Sequence, residues 1–412
     1  MRFVDSRRSE ERFGPGPAFD DRRRTTAQER VVAMLRLGGF AFAPDRAGAE
    51  REAREALDGW AADGLPFATD ASGARRFDPV EVVCFLKRRG LGGQDPFFAR
   101  RWVETGRRLV ESLAQAQGAQ IEFSLRRRFA IHAPAGARLR LRAPAPLESV
   151  HGPGAVARAD VEGLDEARVK AGEGRLEIRG VSRGPGVVEL AATYLLSREA
   201  APSADPPQPV HLAPREGLVC VDAQVAELAR RLAGTPARPE AALKAFWSYM
   251  LDELCCGPVP YERIDPRAPC AFVLRSGRYD CQLGAALFVA LCRAVGVPAR
   301  VVGGHVLYEK APTNHFWAEA WLDGRWAPFD FLCFDLSLGG RDEAWRERFF
   351  GRLDARLIAE RRPLEFTGAP GVKIPAMWRV LQTPEADGAR IALEGVDGAP
   401  VLSDLVSVRP AP

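Results

Sequence analysis

Long apolar runs are missing from this 412-residue chain. The longest uninterrupted one, Leu283 to Cys292, falls far short of the ~20 residues that carry a helix across a bilayer, so no membrane span is expected. Lysine is scarce too. Of 58 basic residues only five are lysine (Lys87, Lys170, Lys244, Lys310 and Lys373), and the arginines that make up the rest are interleaved with 54 acids, for a formal net charge of +4. That balance is no nucleic-acid footprint. The clusters Arg22–Arg24, Lys87–Arg89 and Arg126–Arg128 lack the interleaved aromatics of a single-strand platform and read as solvated faces. Cysteine is sparse: eight residues, at 84, 220, 255, 256, 270, 281, 292 and 333, contain no C-x-x-C pair and no histidine at ligand spacing. A disulfide scaffold and structural zinc are thereby excluded, and no cofactor is implied. The stretch after Arg22-Arg23-Arg24 is interrupted by Arg36 and two glycines and offers no small-residue cleavage site, so it does not read as an export signal; a soluble, cytoplasmic protein is expected.

What is present is ordinary globular composition, 46% hydrophobic and 27% charged, in a chain long enough for more than one core. An α+β protein is expected. Residues 1–118 read as helical: Thr26 and Glu29 form a capping box, and Asp78-Pro79 and Asp95-Pro96 open helices over Val82–Arg88 and Phe97–Gln115. From 119 to 197 the apolar period becomes two, in Ile121–Phe129, Leu139–Arg142, Arg175–Val181 and Val187–Leu196, which predicts a small antiparallel β domain. Five prolines crowd 198–214, the best linker in the chain. A core follows over 215–350, then short strand-like runs over 351–412 that read as a β-rich C-terminal extension.

The chemistry concentrates in the core. Cys281 stands at the start of a helix whose stripe is Leu283, Leu287, Ala290, Leu291 and Ala294, and whose stop is Gly296 with Pro298. The positive end of a helix favours a thiolate there, the reactive form of a cysteine. Downstream, Asp323-Gly324 marks a two-residue hairpin turn of type I′. In that register Leu322 faces Arg325, His315 opposes position 332, and Asp330 is the diagonal neighbour of His315 on the same face. An aspartate holding one imidazole nitrogen leaves the other for a general base, and with a cysteine nucleophile this makes a set suited to acyl transfer. Trp317, Trp321 and Trp326 are candidate walls of an acyl cleft, although core packing is the default for each. His305 is a structural or substrate-contact residue, and Cys292, three turns beyond Cys281, is too far along the helix to pair with it. The Cys281 N–H is the natural first oxyanion donor, and Trp247 and Tyr261 are candidates for a second.

These residues resemble a known family. Gly277–Cys281, the helix running into Leu291-Cys-Arg-Ala-Val-Gly-Val-Pro, and His315-Phe-Trp-Ala-Glu-Ala-Trp with Gly324-Arg-Trp and Asp330 are similar to the core of the transglutaminase-like superfamily, over roughly residues 239–335. The resemblance implies a papain-like Cys-His-Asp triad of Cys281, His315 and Asp330, at spacings of 34 and 15 residues like those of bacterial members. It implies an α+β transglutaminase-like core preceded by the β domain, and a peptide, protein or small amide or thioester as substrate. Release to water would give a protease or amidase; release to an amine would give a transamidase or amide synthase. A silent module that only binds protein or peptide is the alternative. Neither calcium, nucleic acid nor membrane is implied. Relatives often carry glycine two residues before the cysteine, where this chain has Tyr279, so a changed pocket floor beside the thiol is expected.

Overall fold

The computed structural model describes residues 46–77, 82, 85, 120–149, 152–172, 174–197, 205–234, 238–256, 259, 264–265, 267–306, 313–331, 343–353, 356–362, 385–391, 393–394, 396 and 404–410. In the N-terminal region a helix α1, Arg46–Ala62, buries Ala53, Leu57 and Trp60 on one stripe. Val82 and Phe85 are helical, while the capping box at Thr26 and the helix expected from Phe97 lie outside the described residues.

Seven strands follow: β1 (Gln120–Ile131), β2 (Arg138–Pro144), β3 (Glu148–Ser149), β4 (Gly152–Glu162), β5 (Leu164–Gly172), β6 (Arg175–Ser182) and β7 (Gly186–Ser197). The four runs with period two are β1, β2, β6 and β7. Burial in β1 alternates along its length and places Ile121, Phe123, Leu125, Phe129 and Ile131 inward, against Leu139 and Leu141 of β2 and Ile178 of β6 in one cluster. Three strands went unread, of which the two-residue β3 is too short to show a period. Segment β4 opens on Gly-Pro-Gly, and β5 leaves nearly every side chain in solvent, so neither shows an apolar alternation.

The core is built round one helix, α5. Before it come α2 (Ala223–Ala233), capped by Asp222, then α3 (Pro239–Asp252) and α4 (Pro269–Ser276), each with proline at its first position, where a missing N–H does no harm. Helix α5, Cys281–Ala294, is apolar all round and buried from Gln282 to Arg293, more than the single stripe implied. It lies on a sheet of β8 (Ala299–Val306), β9 (Thr313–Leu322) and β10 (Arg325–Phe329), followed by α6 (Glu343–Phe349) and β11 (Arg356–Arg361). Four more short strands complete the chain's described part: β12 (Glu385–Ala386), β13 (Ala389–Arg390), β14 (Leu393–Glu394) and β15 (Asp404–Pro410).

The sheets are continuous across these regions. Ten strands run in the order β10-β9-β8-β11-β3-β4-β7-β1-β14, with β15 also paired to β1, and a second sheet runs β13-β12-β2-β6-β5. The segment expected as an extension therefore returns to both sheets: β11 extends the core sheet, β12 pairs β2, and β14 and β15 pair β1. The seam between the core sheet and the first β region is the two-residue strand β3, which pairs β11 on one side and β4 on the other.

Where a linker was expected, residues 205–214 are held against the core. Arg300 donates to Glu319 at 2.7 Å and to Asp205 at 2.7 Å while its guanidinium lies over the Trp326 ring, 4.1 Å from the centroid. Trp326 Nε1 donates to the Asp205 carbonyl at 2.6 Å. Arg293, at the end of α5, donates to the Ala213 carbonyl at 2.8 Å and pairs with Glu216, which also takes Arg362 at 2.6 Å. Charges this deep are tolerable only when paired, and the prolines between them lower the entropy lost on docking. His211 seals the strap: its Nδ1 accepts the Gln208 N–H at 2.9 Å and its ring meets Trp326 edge-on at 4.7 Å.

Burial, and then the nearby Arg300 and Arg362, push His211 down to about 4. The ring is thus neutral in the folded state, whereas an unfolded chain protonates it near pH 6.5. Stability from this group is complete above pH 6.5 and is lost progressively as pH falls towards 4, by an amount on the order of 2–3 kcal/mol. Urea unfolding of the wild type and of His211→Gln at pH 7 and pH 4.5 checks this: the stability difference between the two pH values is expected to shrink in the variant, and an equal difference in both would refute it.

Candidate active site

Cys281 is the first residue of α5, and Asp280 is the cap. The Asp280 carboxylate accepts the N–H groups of Gln282 at 3.1 Å and Leu283 at 2.9 Å. The turn into the helix is set upstream, where Gly277 ends α4 at φ 66°, a conformation that costs other residues a steric clash. Arg278-Tyr279 then pairs in parallel with Cys255-Cys256 and aims the chain at the helix start. Tyr279 does not form a pocket floor. Its ring is fully buried against Gly284, so close that a Cβ on that glycine would stand 2.4 Å from the ring, and it stacks edge-on with Phe331 at 5.9 Å. The expected change at the thiol is thereby corrected: the tyrosine packs into the core, because the helix gives it room through a missing side chain.

The hairpin has the register read from its turn. Leu322 pairs Arg325 and Ala318 pairs Phe329, with Asp323 and Gly324 at φ 51° and 75°, the positive pair that a type I′ turn requires. His315 and Asp330 consequently meet, each about 1% exposed, with His315 Nε2 at 2.9 Å from both carboxylate oxygens. In the neutral ring Nε2 is the donor to the carboxylate and Nδ1 is the nitrogen left to act as base. Asp330 Oδ2 also meets Arg356 Nη2 at 2.8 Å, an ion pair whose two side chains are both 1% exposed.

The thiol lies near the strand that carries His315. The backbone amides of Phe316, next in the chain to His315, and of Gln282 lie near enough to act on the Cys281 sulfur. Those two amides favour the thiolate, but burial dominates and pushes the thiol up, with the carboxylates of Asp280 and Asp330 adding to it. The helix terminus favours the thiolate and burial opposes it. Cys220, Cys270 and Cys292 are fully buried and also raised by burial, Cys270 to about 12, whereas Cys281 is the half-buried one of these four.

Other residues singled out from the sequence resolve as packing. Trp317 is buried with Val302, Leu353 and Ile358, and Trp326 clamps Arg300; Trp321 meets Trp326 edge-on at 5.3 Å. Trp247 lies among Phe329, Phe331 and Phe350. Cys292 is buried inside α5. Residue 305 pairs with positions 314 and 357 in the sheet, and Tyr261 lies outside the described residues. Among the described residues no group of three or more His, Cys, Asp or Glu is arranged to hold a metal ion, and no helix is long and apolar enough to cross a membrane. Sequence reading missed two participants: Asp280, whose place before a helix start is a cap signature, and Arg356, which carries no local signal.

No curated protein matches the chain. Among solved structures, a candidate cysteine protease from Cytophaga hutchinsonii aligns at 15% identity and TM-score 0.40, over 71% of this chain and 99% of the other. The periplasmic domain of TgpA from Pseudomonas aeruginosa aligns at 16% identity and TM-score 0.29, over 58% and 94%. A candidate protease from Parabacteroides distasonis aligns at 13% identity and TM-score 0.26, over 49% and 42%. Residues 226–331 match the model of the transglutaminase-like superfamily. That span runs from α2 to just past the hairpin and holds Cys281, His315 and Asp330, so it is this region of the chain that is similar to the transglutaminase-like superfamily.

Proposed function

We propose that this site performs cysteine-dependent acyl transfer on an amide, peptide or thioester donor. The observation that supports the reading is the buried His315–Asp330 pair, brought together by hairpin register, with Cys281 at a helix start near the amide of Phe316, the residue after His315. The Cys281 proton moves to His315 Nδ1 as the sulfur attacks the donor carbonyl carbon, and the carbonyl electron pair becomes an oxyanion facing the Cys281 N–H. Asp330 stabilises the imidazolium through Nε2. Collapse of the intermediate breaks the bond to the leaving amine or thiol, which takes the proton from Nδ1 and leaves a thioester on Cys281. Water or an amine then attacks the thioester, His315 accepting its proton and returning it to the sulfur. Release to water makes the protein a hydrolase; release to an amine makes it a transamidase.

A burst experiment with p-nitrophenyl acetate tests this. One p-nitrophenolate per chain is expected in the burst, with an acetyl adduct on the Cys281 peptide that hydroxylamine removes. A folded protein that gives no adduct, or an adduct on other residues only, would leave the site a binding module.

A further inference from the structure

The carboxylate at the centre of this site has a second partner outside the family match. Asp330 is 1% exposed, and a buried ionised carboxylate is costly unless it is paired and hydrogen-bonded. A neutral imidazole gives it a proton to accept and no compensating charge. Arg356 gives both: it stays charged at any working pH, and its Nη2 stands 2.8 Å from Oδ2. Strand register explains how a residue so distant arrives there. His315 pairs Gly304, Gly304 pairs Ile358, and Arg356 lies two residues from Ile358 on the same strand, so His315 and Arg356 share one face of the sheet. The backbones come close at Gly304, where a Cβ would stand 1.9 Å from the Leu357 carbonyl oxygen.

We propose that Arg356 is a positioning residue of the acyl-transfer site, holding Asp330 ionised and oriented for His315. The proposal rests on the reading given above. Arg356 touches none of the reacting atoms and acts through Asp330 alone. Among the described residues the charged groups that act on the thiol are Asp280 and Asp330, and His315 and Arg356 are both bonded to Asp330. With the thiol and imidazole neutral, Asp330 and Arg356 cancel. Without Arg356 the naked carboxylate holds a proton on the imidazole more tightly and opposes the thiolate more strongly. The repulsion of the thiolate delays formation of the reactive form as pH rises, while the tighter hold on the imidazole proton favours imidazolium and offsets part of that delay.

The test is the pH profile of Cys281 alkylation by limiting iodoacetamide, mapped by mass spectrometry, which needs no knowledge of the substrate. In Arg356→Met the rise in rate is expected to move about one pH unit upward, which makes alkylation about tenfold slower on the acid limb. Arg356→Lys is expected to restore most of the wild-type profile. Arg356→Gln keeps a donor to Asp330 and the space filled, and carries the same test should the methionine variant fail to fold. In an Asp330→Asn background, loss of Arg356 is expected to add no further displacement. A folded Arg356→Met or Arg356→Gln protein whose profile superimposes on the wild type overturns the role of Arg356 alone. Wild-type protein in which Cys281 is not alkylated ahead of the other cysteines overturns the nucleophile, and this role with it.

Discussion

Cys281→Ala is expected to bring turnover down to background, a loss on the order of 10⁴-fold or more, while leaving the fold intact. The size follows from the kind of step removed: without the sulfur no thioester forms, and the acyl group has nowhere to reside between donor and acceptor. The intact fold follows from where the residue sits. Alanine is a good helix former, Cys281 is only half-buried, and the Asp280 cap bonds to the two residues after it, which the substitution does not touch. The paired measurement is p-nitrophenyl acetate turnover and the urea midpoint. An unchanged midpoint with lost turnover is the expected pattern; undiminished turnover would end the assignment.

Asp330→Asn should behave in the opposite way on the second axis, losing activity and stability together. On the kinetic side the asparagine can present its amide to His315 Nε2, which places the imidazole proton on Nδ1 and removes the base; losses of 10²- to 10⁴-fold are the expected range. On the stability side, Arg356 loses its carboxylate while remaining in a site where it is 1% exposed. Breaking one half of a buried ion pair costs about 3–5 kcal/mol. Comparison of the two variants by kcat/KM and urea unfolding separates the roles: chemistry without stability at Cys281, both at Asp330. Full activity in a folded Asp330→Asn protein would reduce the aspartate to a packing residue.

The parts of this site that were legible in the sequence are those fixed by short-range geometry. The turn at Asp323-Gly324 dictates the pairing of β9 with β10, and a two-residue period then delivers Asp330 to His315 with no tertiary knowledge. The helix start at Cys281 was readable for the same reason. What depended on burial was not. A helix terminus argues for a thiolate, and the opposing push from burial enters only with the packed structure. Arg356 was invisible because its link to Asp330 runs through β8 and β11, strands whose pairing leaves no mark on either segment. The strap at 205–214 looked like a linker because proline and polar residues dominate it; Asp205, His211 and Glu216 reveal their purpose only when Arg300, Arg293 and Trp326 are seen to receive them. The strand β5 was missed because a strand that buries little need not alternate.

The two-residue seam at β3 also sets an order of assembly. Its partner in β11 lies roughly 200 residues downstream, and β1 waits for β15 across roughly 280. Closing spans of that length is slow, because the entropy of the intervening chain is lost before any contact rewards it. During synthesis β1 and β3 therefore stand with open edges, exposed to mispairing, until the late strands emerge. Arg356 is the first residue of one of those strands. The ion pair at Asp330 consequently cannot form until the sheet begins to close, which leaves the site incomplete in every shorter nascent chain.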